Sequence, residues 1–136
     1  MKIVVVGLGY VGLPLAVALA KVFDVIGVDI DAGRVAELRQ GHDRTREVED
    51  ANLKASSLKY SADIAEARGA DIYIVTVPTP VDHANQPDLR PVMSATRSVA
   101  GVLEASKRPI IVYESTVYPG VTEELCGPEL ERVSGL

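Results

Sequence analysis

A doubly wound α/β fold, one parallel sheet covered by helices on both faces, is what this 136-residue sequence predicts. Three observations predict it. Short β-branched runs alternate with helix-forming segments along the chain, which implies right-handed crossovers between parallel strands. The first run is apolar throughout, as a strand buried on both faces must be. That run then passes through a glycine-rich turn directly into the first helix. The strand order expected is 3-2-1-4-5, with a ligand crevice at the carboxyl ends of strands one and four.

Each element follows from local chemistry. Ile3-Val4-Val5-Val6 is too short for a helix and reads as the first strand. Gly7, Gly9 and Gly12 follow it, then an Ala/Leu-rich helix over 13–20, wound from near Gly9 or Tyr10. Pro14 fits its first turn, where no intrahelical donor is lost. Phe23-Asp24 turns the chain into a second strand over 25–28, ending at Asp29. Asp31 caps a helix through Arg34, Val35 and Leu38 that closes near Gly41. The charged stretch 41–50 reads as a solvated loop before a short helix over 51–55. Residues 58–60 form a third strand, and Ser61 caps a helix through Ile64 and Ala67. A clear strand over 71–77 is stopped by Pro78-Thr79-Pro80, since proline supplies no ladder donor. Turn formers fill 81–87. Asp88 then caps a long helix over 89–105, with Pro91 in its first turn. A fifth strand over 109–113 and a last helix over 121–133 complete the chain. Five strands are one fewer than a dinucleotide fold usually has. The chain is therefore expected to be the N-terminal part of a longer protein, lacking its sixth strand.

The glycine pattern carries chemistry. In G-x-G-x-x-G, Gly7 permits the tight turn, Gly9 lets the backbone approach phosphates, and Gly12 lets the helix pack on the strand. A pyrophosphate then sits at the helix N-terminus, where unpaired N–H groups and the dipole favour an anion. Asp29 lies 22 positions after Gly7 at the end of the next strand. A carboxylate there accepts hydrogen bonds from the adenosine ribose and repels a 2′-phosphate, which selects NAD over NADP. No metal site is expected. The stretch 3–20 also imitates a secretory signal or a short membrane helix, but three glycines and Pro14 interrupt it and Lys2 is a thin basic flank. A net charge of −5 without a basic run gives nucleic acid or an anionic membrane no electrostatic hold. The single cysteine, Cys126, excludes an internal disulfide and a cysteine-rich metal site. Without a convincing export signal, the cytoplasm is the expected location.

Four ordered motifs extend this reading. Gly7-Leu8-Gly9-Tyr10-Val11-Gly12-Leu13-Pro14-Leu15-Ala16, Val28-Asp29-Ile30-Asp31, Thr76-Val77-Pro78-Thr79-Pro80 and Tyr113-Glu114-Ser115-Thr116-Val117-Tyr118-Pro119-Gly120 occur in that order. Together they resemble the Rossmann-like NAD-binding domain of the UDP-glucose/GDP-mannose dehydrogenase family, over essentially the whole chain. Gln86-Pro87-Asp88-Leu89 and the segment 114–120 look most like the UDP-N-acetylhexosamine 6-dehydrogenases (UDP-N-acetylglucosamine or UDP-N-acetylmannosamine) of capsule and O-antigen biosynthesis. The resemblance implies oxidation of the sugar C6 alcohol to a carboxylate with two NAD in succession, through a cysteine-bound thiohemiacetal and thioester. It implies that Gly7, Leu8, Gly9, Tyr10, Val11 and Gly12 hold the pyrophosphate and Asp29 the ribose. Arg34 lies over or beside that ribose and adenine, and Thr79, Ser115 and Thr116 approach the cofactor. Thr116 matches a threonine that helps position the hydrolytic water, and so is the one catalytic candidate. The nucleophilic cysteine and its lysine, asparagine and glutamate partners would lie downstream; Cys126 does not match it. The isolated chain is thus expected to be inactive, its parent to take a UDP-sugar substrate and to form a homo-oligomer.

The plainer alternatives are specific. Arg34 could be a solvated surface arginine, Thr79 a strand terminator, Thr116 an ordinary strand-end residue, and Glu114 a structural partner. His42 and His83 read as exposed. Two rival functions use the same strand–turn–helix: a stand-alone NAD-sensing module, and the NAD domain of a β-hydroxyacid-type dehydrogenase. A sensor has no need of Thr79 or of Ser115-Thr116.

Overall fold

The computed structural model describes residues 1–9, 11–43, 48–76, 90–103 and 109–113, with backbone alone at 50, 54, 55 and 92. Its strands are β1 (Lys2–Val6), β2 (Asp24–Val28), β3 (Lys59–Ser61), β4 (Ile72–Val75) and β5 (Ile110–Tyr113). They pair parallel in one sheet of order β3-β2-β1-β4-β5, the order the alternation of elements predicts. The helices are α1 (Gly12–Ala20), α2 (Ala32–Arg39), α3 (Asp50–Ala55) and α4 (Arg90–Ala100), with a 3-10 turn at Ile64–Ala67.

β1 lies at the centre, flanked by β2 from Lys2↔Asp24 to Val6↔Val28 and by β4 from Ile3↔Ile72 to Val6↔Val75. Its side chains alternate between two cores, as a two-residue period demands. Ile3 and Val5 join Leu13, Ala16 and Val17 of α1. Val4 and Val6 join Tyr73, Val75, Ala95 and Val99 on the other face. Both faces are covered, so the strand has no polar side to show. The segment 3–20 is thus a strand, a turn and a nine-residue helix, which disposes of the membrane-helix reading. Among the described residues no helix is long and apolar enough to cross a membrane.

Local signals set most boundaries. The α1 ladder proper begins at Gly12, but the Leu13 N–H already bonds the Gly9 carbonyl at 3.2 Å, so winding starts where expected. Asp31 caps α2, its Oδ1 accepting from the Arg34 N–H at 3.1 Å. The helix closes at Gly41, whose φ is 83°. Gly41 N–H bonds Leu38 O and His42 N–H bonds Glu37 O, the paired closure that a left-handed glycine permits.

Three expectations are corrected. The third strand is Lys59–Ser61 rather than 58–60, because Ser61 pairs with Val28 and its carbonyl accepts the Asp29 N–H. Ser61 thus ends the strand three residues ahead of the next turn, and its Oγ takes the Asp63 N–H; Asp63 is the cap, accepting from Ala65 N–H at 2.9 Å, and the turn is a 3-10 of four residues. The helix expected to reach 105 ends at Ala100. Past Gly101 the chain bends so that Val102 is buried; its carbonyl accepts from Gly69 N–H and lies 3.4 Å from Tyr73 Oη. Tyr73 Oη also donates to Ala67 O at 2.7 Å and accepts from Ala70 N–H, so one hydroxyl ties the 3-10 turn to the end of α4. The proline stop after β4, the Asp88 cap and the last helix lie outside the described residues, as do Tyr10, Thr79, Glu114, Ser115, Thr116, His83 and Cys126.

Candidate functional site

The carboxyl ends of β1, β2 and β4 meet at one rim. Gly7 leaves β1 with φ 97°, a region open to glycine and costly to other residues. Its N–H donates to Val28 O at 2.8 Å, which keeps the turn against β2. Gly12 starts α1 so close to this turn that a Cβ there would collide with the Gly7 carbonyl and the Thr76 hydroxyl. Gly9 differs: a Cβ there would meet no atom within 4 Å among the described residues. No described residue packs on that position, which leaves the Gly9 backbone open to the approach of a ligand. Among the described residues the N–H groups of Gly9 and Val11 have no partner, and they stand at the positive end of α1. An open, donor-lined cradle of this kind fits the pyrophosphate of NAD.

Leu8 contributes through its backbone. Its side chain is fully buried and rests on Gly27, where a Cβ would lie 2.7 Å from Leu8 Cδ2. Its N–H donates to Asp29 Oδ2 at 3.0 Å, while Asp29 Oδ1 accepts from Asp31 N–H at 3.0 Å. Each carboxylate oxygen keeps further accepting capacity, so Asp29 is oriented by the backbone and still able to receive ribose hydroxyls.

Arg34 lies in the first turn of α2, against the backbone of the glycine turn. It is 5% exposed, and Nε and Nη2 both donate to Leu8 O, at 2.9 and 2.7 Å. Nη1 bonds Asp43 Oδ1 at 2.9 Å and Glu37 Oε1 at 3.3 Å. The solvated-surface alternative for Arg34 fails. Asp43 belongs to the stretch expected to be a solvated loop, yet it is 1% exposed and its Oδ2 takes the Val48 N–H at 3.1 Å. Beside this pair stands Tyr60, whose buried hydroxyl has no partner among the described residues. Burial pushes the Tyr60 phenol above its usual range; the Arg34 charge opposes that rise and Asp43 reinforces it. His42 is exposed, as expected.

Thr76 is a rim residue that the motif reading quoted without assigning a task. Its Oγ1 lies 2.7 Å from Gly7 O and 3.0 Å from Val6 O, and its N–H extends the β1–β4 ladder to Val6 O. Its signal was available: it follows the last residue of a strand adjoining β1, where a small hydroxyl meets the turn. Asp43 and Tyr60 gave no such signal, since their importance arises only from tertiary contact with Arg34.

Comparison with known proteins agrees with this geometry. The model of the UDP-glucose/GDP-mannose dehydrogenase family, NAD binding domain, matches residues 1–135. The chain is 54% identical over its whole length to the UDP-N-acetyl-D-glucosamine 6-dehydrogenase of Pseudomonas aeruginosa, covering 32% of that protein. It is 46% identical, again over its whole length, to the enzyme of the same name from Salmonella typhi, covering 32% of it. The solved structure of the UDP-D-ManNAc dehydrogenase from Pyrococcus horikoshii superimposes with a TM-score of 0.90 at 34% identity, over 100% of this chain and 33% of that one. The chain thus spans about a third of the length of these relatives.

Proposed function

The chain belongs to the UDP-glucose/GDP-mannose dehydrogenase family as its NAD-binding domain, and from this we propose that it is the cofactor half of a UDP-N-acetylhexosamine 6-dehydrogenase. The observation that carries the cofactor role is the pairing of an unfilled space at Gly9 with an Asp29 carboxylate pinned beside it by Leu8 N–H. The substrate class rests on the names of the relatives, UDP-N-acetyl-D-glucosamine 6-dehydrogenase among them.

In this reading Gly7, Leu8, Gly9, Tyr10, Val11 and Gly12 form the pyrophosphate loop, and Asp29 receives the ribose hydroxyls and repels a 2′-phosphate. Arg34, held on the Leu8 carbonyl, lies beside that ribose and its adenine. Thr79, Ser115 and Thr116 approach the cofactor from the neighbouring strand ends, Thr116 helping to position the hydrolytic water. NAD supplies the hydride acceptor; the nucleophilic cysteine belongs to the part of the protein beyond this chain. The whole protein is a cytoplasmic homo-oligomer that makes uronic acid precursors for surface polysaccharide such as capsule or O-antigen.

The test is turnover by the full-length protein with UDP-N-acetylglucosamine or UDP-N-acetylmannosamine. Two NADH formed for each sugar oxidised, with NADP giving little rate, is the expected result. No NADH with either sugar would overturn the substrate assignment.

A further inference from the structure

We propose that Thr76 is a positioning residue for the Asp29 carboxylate, acting through the peptide that joins Gly7 to Leu8, and so helps set the preference for a cofactor with free ribose hydroxyls. The inference rests on the assignment of Asp29 to the adenosine ribose and adds to it a residue from another strand end.

That peptide is held at both ends. Its carbonyl, Gly7 O, lies 2.7 Å from Thr76 Oγ1, and its N–H, on Leu8, donates to Asp29 Oδ2 at 3.0 Å. The peptide is trans, so its C=O and N–H point in opposite directions. They reach the ends of the two strands that flank β1, β4 on one side and β2 on the other. Thr76 Oγ1 also lies 3.0 Å from Val6 O, but a hydroxyl has one proton to give, and Val6 O already takes the Thr76 N–H at 2.8 Å. Gly7 O has no backbone donor among the described residues, so the hydroxyl proton goes to it.

The hydroxyl has little freedom to do otherwise. Thr76 is buried, its backbone is fixed by the bond to Val6, and its side chain lies so near Gly12 that a Cβ there would collide with it. Gly7 cannot supply the same rigidity, because glycine has more backbone freedom than any other residue and here stands at the pivot of the turn with φ 97°. Fixing the Gly7 carbonyl therefore fixes the direction of the Leu8 N–H on which Asp29 rests. An amide whose carbonyl accepts a hydrogen bond is also a better donor at its N–H, by about 10–30% for each bond in a chain. The carboxylate is thus oriented from β4 as well as from its own strand, and a ribose meets it already set.

The test uses the full-length protein and two ligands that differ only at the ribose, ADP and 2′-deoxy-ADP. Each is titrated by calorimetry into wild type, Thr76→Ala, Thr76→Val and Thr76→Ser. Wild type is expected to bind ADP about tenfold more tightly than 2′-deoxy-ADP, the scale of one charged hydrogen bond. In the Ala and Val variants that preference should fall to about threefold or less, whereas Ser, which keeps the hydroxyl, should restore it. A merely structural role would lower stability and the number of competent sites but leave the ratio alone. An unchanged ratio in folded Ala or Val protein would therefore overturn the proposal. So would a failure of both to fold, since the hydroxyl would then serve the fold and not the carboxylate, and so would a Ser variant as indifferent to the 2′-hydroxyl as Ala. If wild type itself does not distinguish the two ligands, the assignment of Asp29 to the ribose fails first, and the role of Thr76 with it.

Discussion

Tyr60 places a buried hydroxyl beside an Arg–Asp pair without giving it a partner among the described residues. An unmade hydrogen bond is costly, whereas removing both the group and its demand can be neutral or favourable. Tyr60→Phe is therefore expected to leave the unfolding free energy unchanged or raise it by about 1 kcal/mol, read from urea melts at neutral pH. The same residue predicts an alkaline effect. Burial raises the phenol from its ordinary value of 10.0. Above that value the unfolded chain loses the proton while the folded chain keeps it, so the folded state binds more protons and stability falls as pH rises. The loss begins near the unfolded value and is complete once pH passes the folded one. Tyr60→Phe should flatten that part of the stability profile; an unchanged slope would show that another group sets it. Arg34 teaches the complementary lesson. Its place in the first turn of a capped helix and its spacing from Asp29 were visible in sequence, but its direction is set by Asp43 and by the Leu8 carbonyl, and neither contact has a local signature.

At the scale of elements, the β1–α1 turn contains two glycines that matter for different reasons. At Gly12 an added Cβ enters the Gly7 carbonyl and Thr76, so Gly12→Ala must push α1 off the strand. Overpacking of this kind costs about 1–3 kcal/mol or more when backbone has to move. At Gly9 the added Cβ meets no described atom within 4 Å. Gly9→Ala should hold stability within about 0.5 kcal/mol of wild type, as surface changes do, while weakening NAD at least about tenfold. Thermal melts and NAD titrations on the two variants separate these roles; a Gly9→Ala protein that binds NAD normally would remove the phosphate from this loop. These glycines were legible because their spacing joins a strand to a helix, and Asp31 because capping is a local interaction. Ser61 was misread because a serine before an apolar run looks like a cap, whereas pairing with Val28 had already made it strand. The end of α4 was missed for a similar reason: burial of Val102 decides it, and helix propensity continues past it.

For the molecule as a whole, the order β3-β2-β1-β4-β5 places the direction change of the sheet between β1 and β4; the donors described above lie at the end of β1 and the carboxylate at the end of the neighbouring β2. The turn at Gly7 rests on β2 through Val28 O and on β4 through Thr76, so the site exists only when three strands are assembled. A ligand that needs all three binds the folded chain and not the unfolded one. Its binding must then raise global stability by RT ln(1 + [L]/Kd), about 2.7 kcal/mol at a concentration one hundred times Kd. We expect NAD at that excess to raise the melting temperature by several degrees, about 4–8 °C for each kcal/mol at T m in a 60–100-residue domain and somewhat less in a larger one. NADP at equal concentration should move it little on the proposed assignment of Asp29 to the ribose, since a carboxylate already oriented by two backbone N–H groups would repel the 2′-phosphate. Asp29→Ser should shrink the difference between the two cofactors. If instead NADP stabilises the wild-type protein as strongly as NAD, the carboxylate does not point at the ribose, and the assignment of the β2 end of this rim to adenosine is wrong.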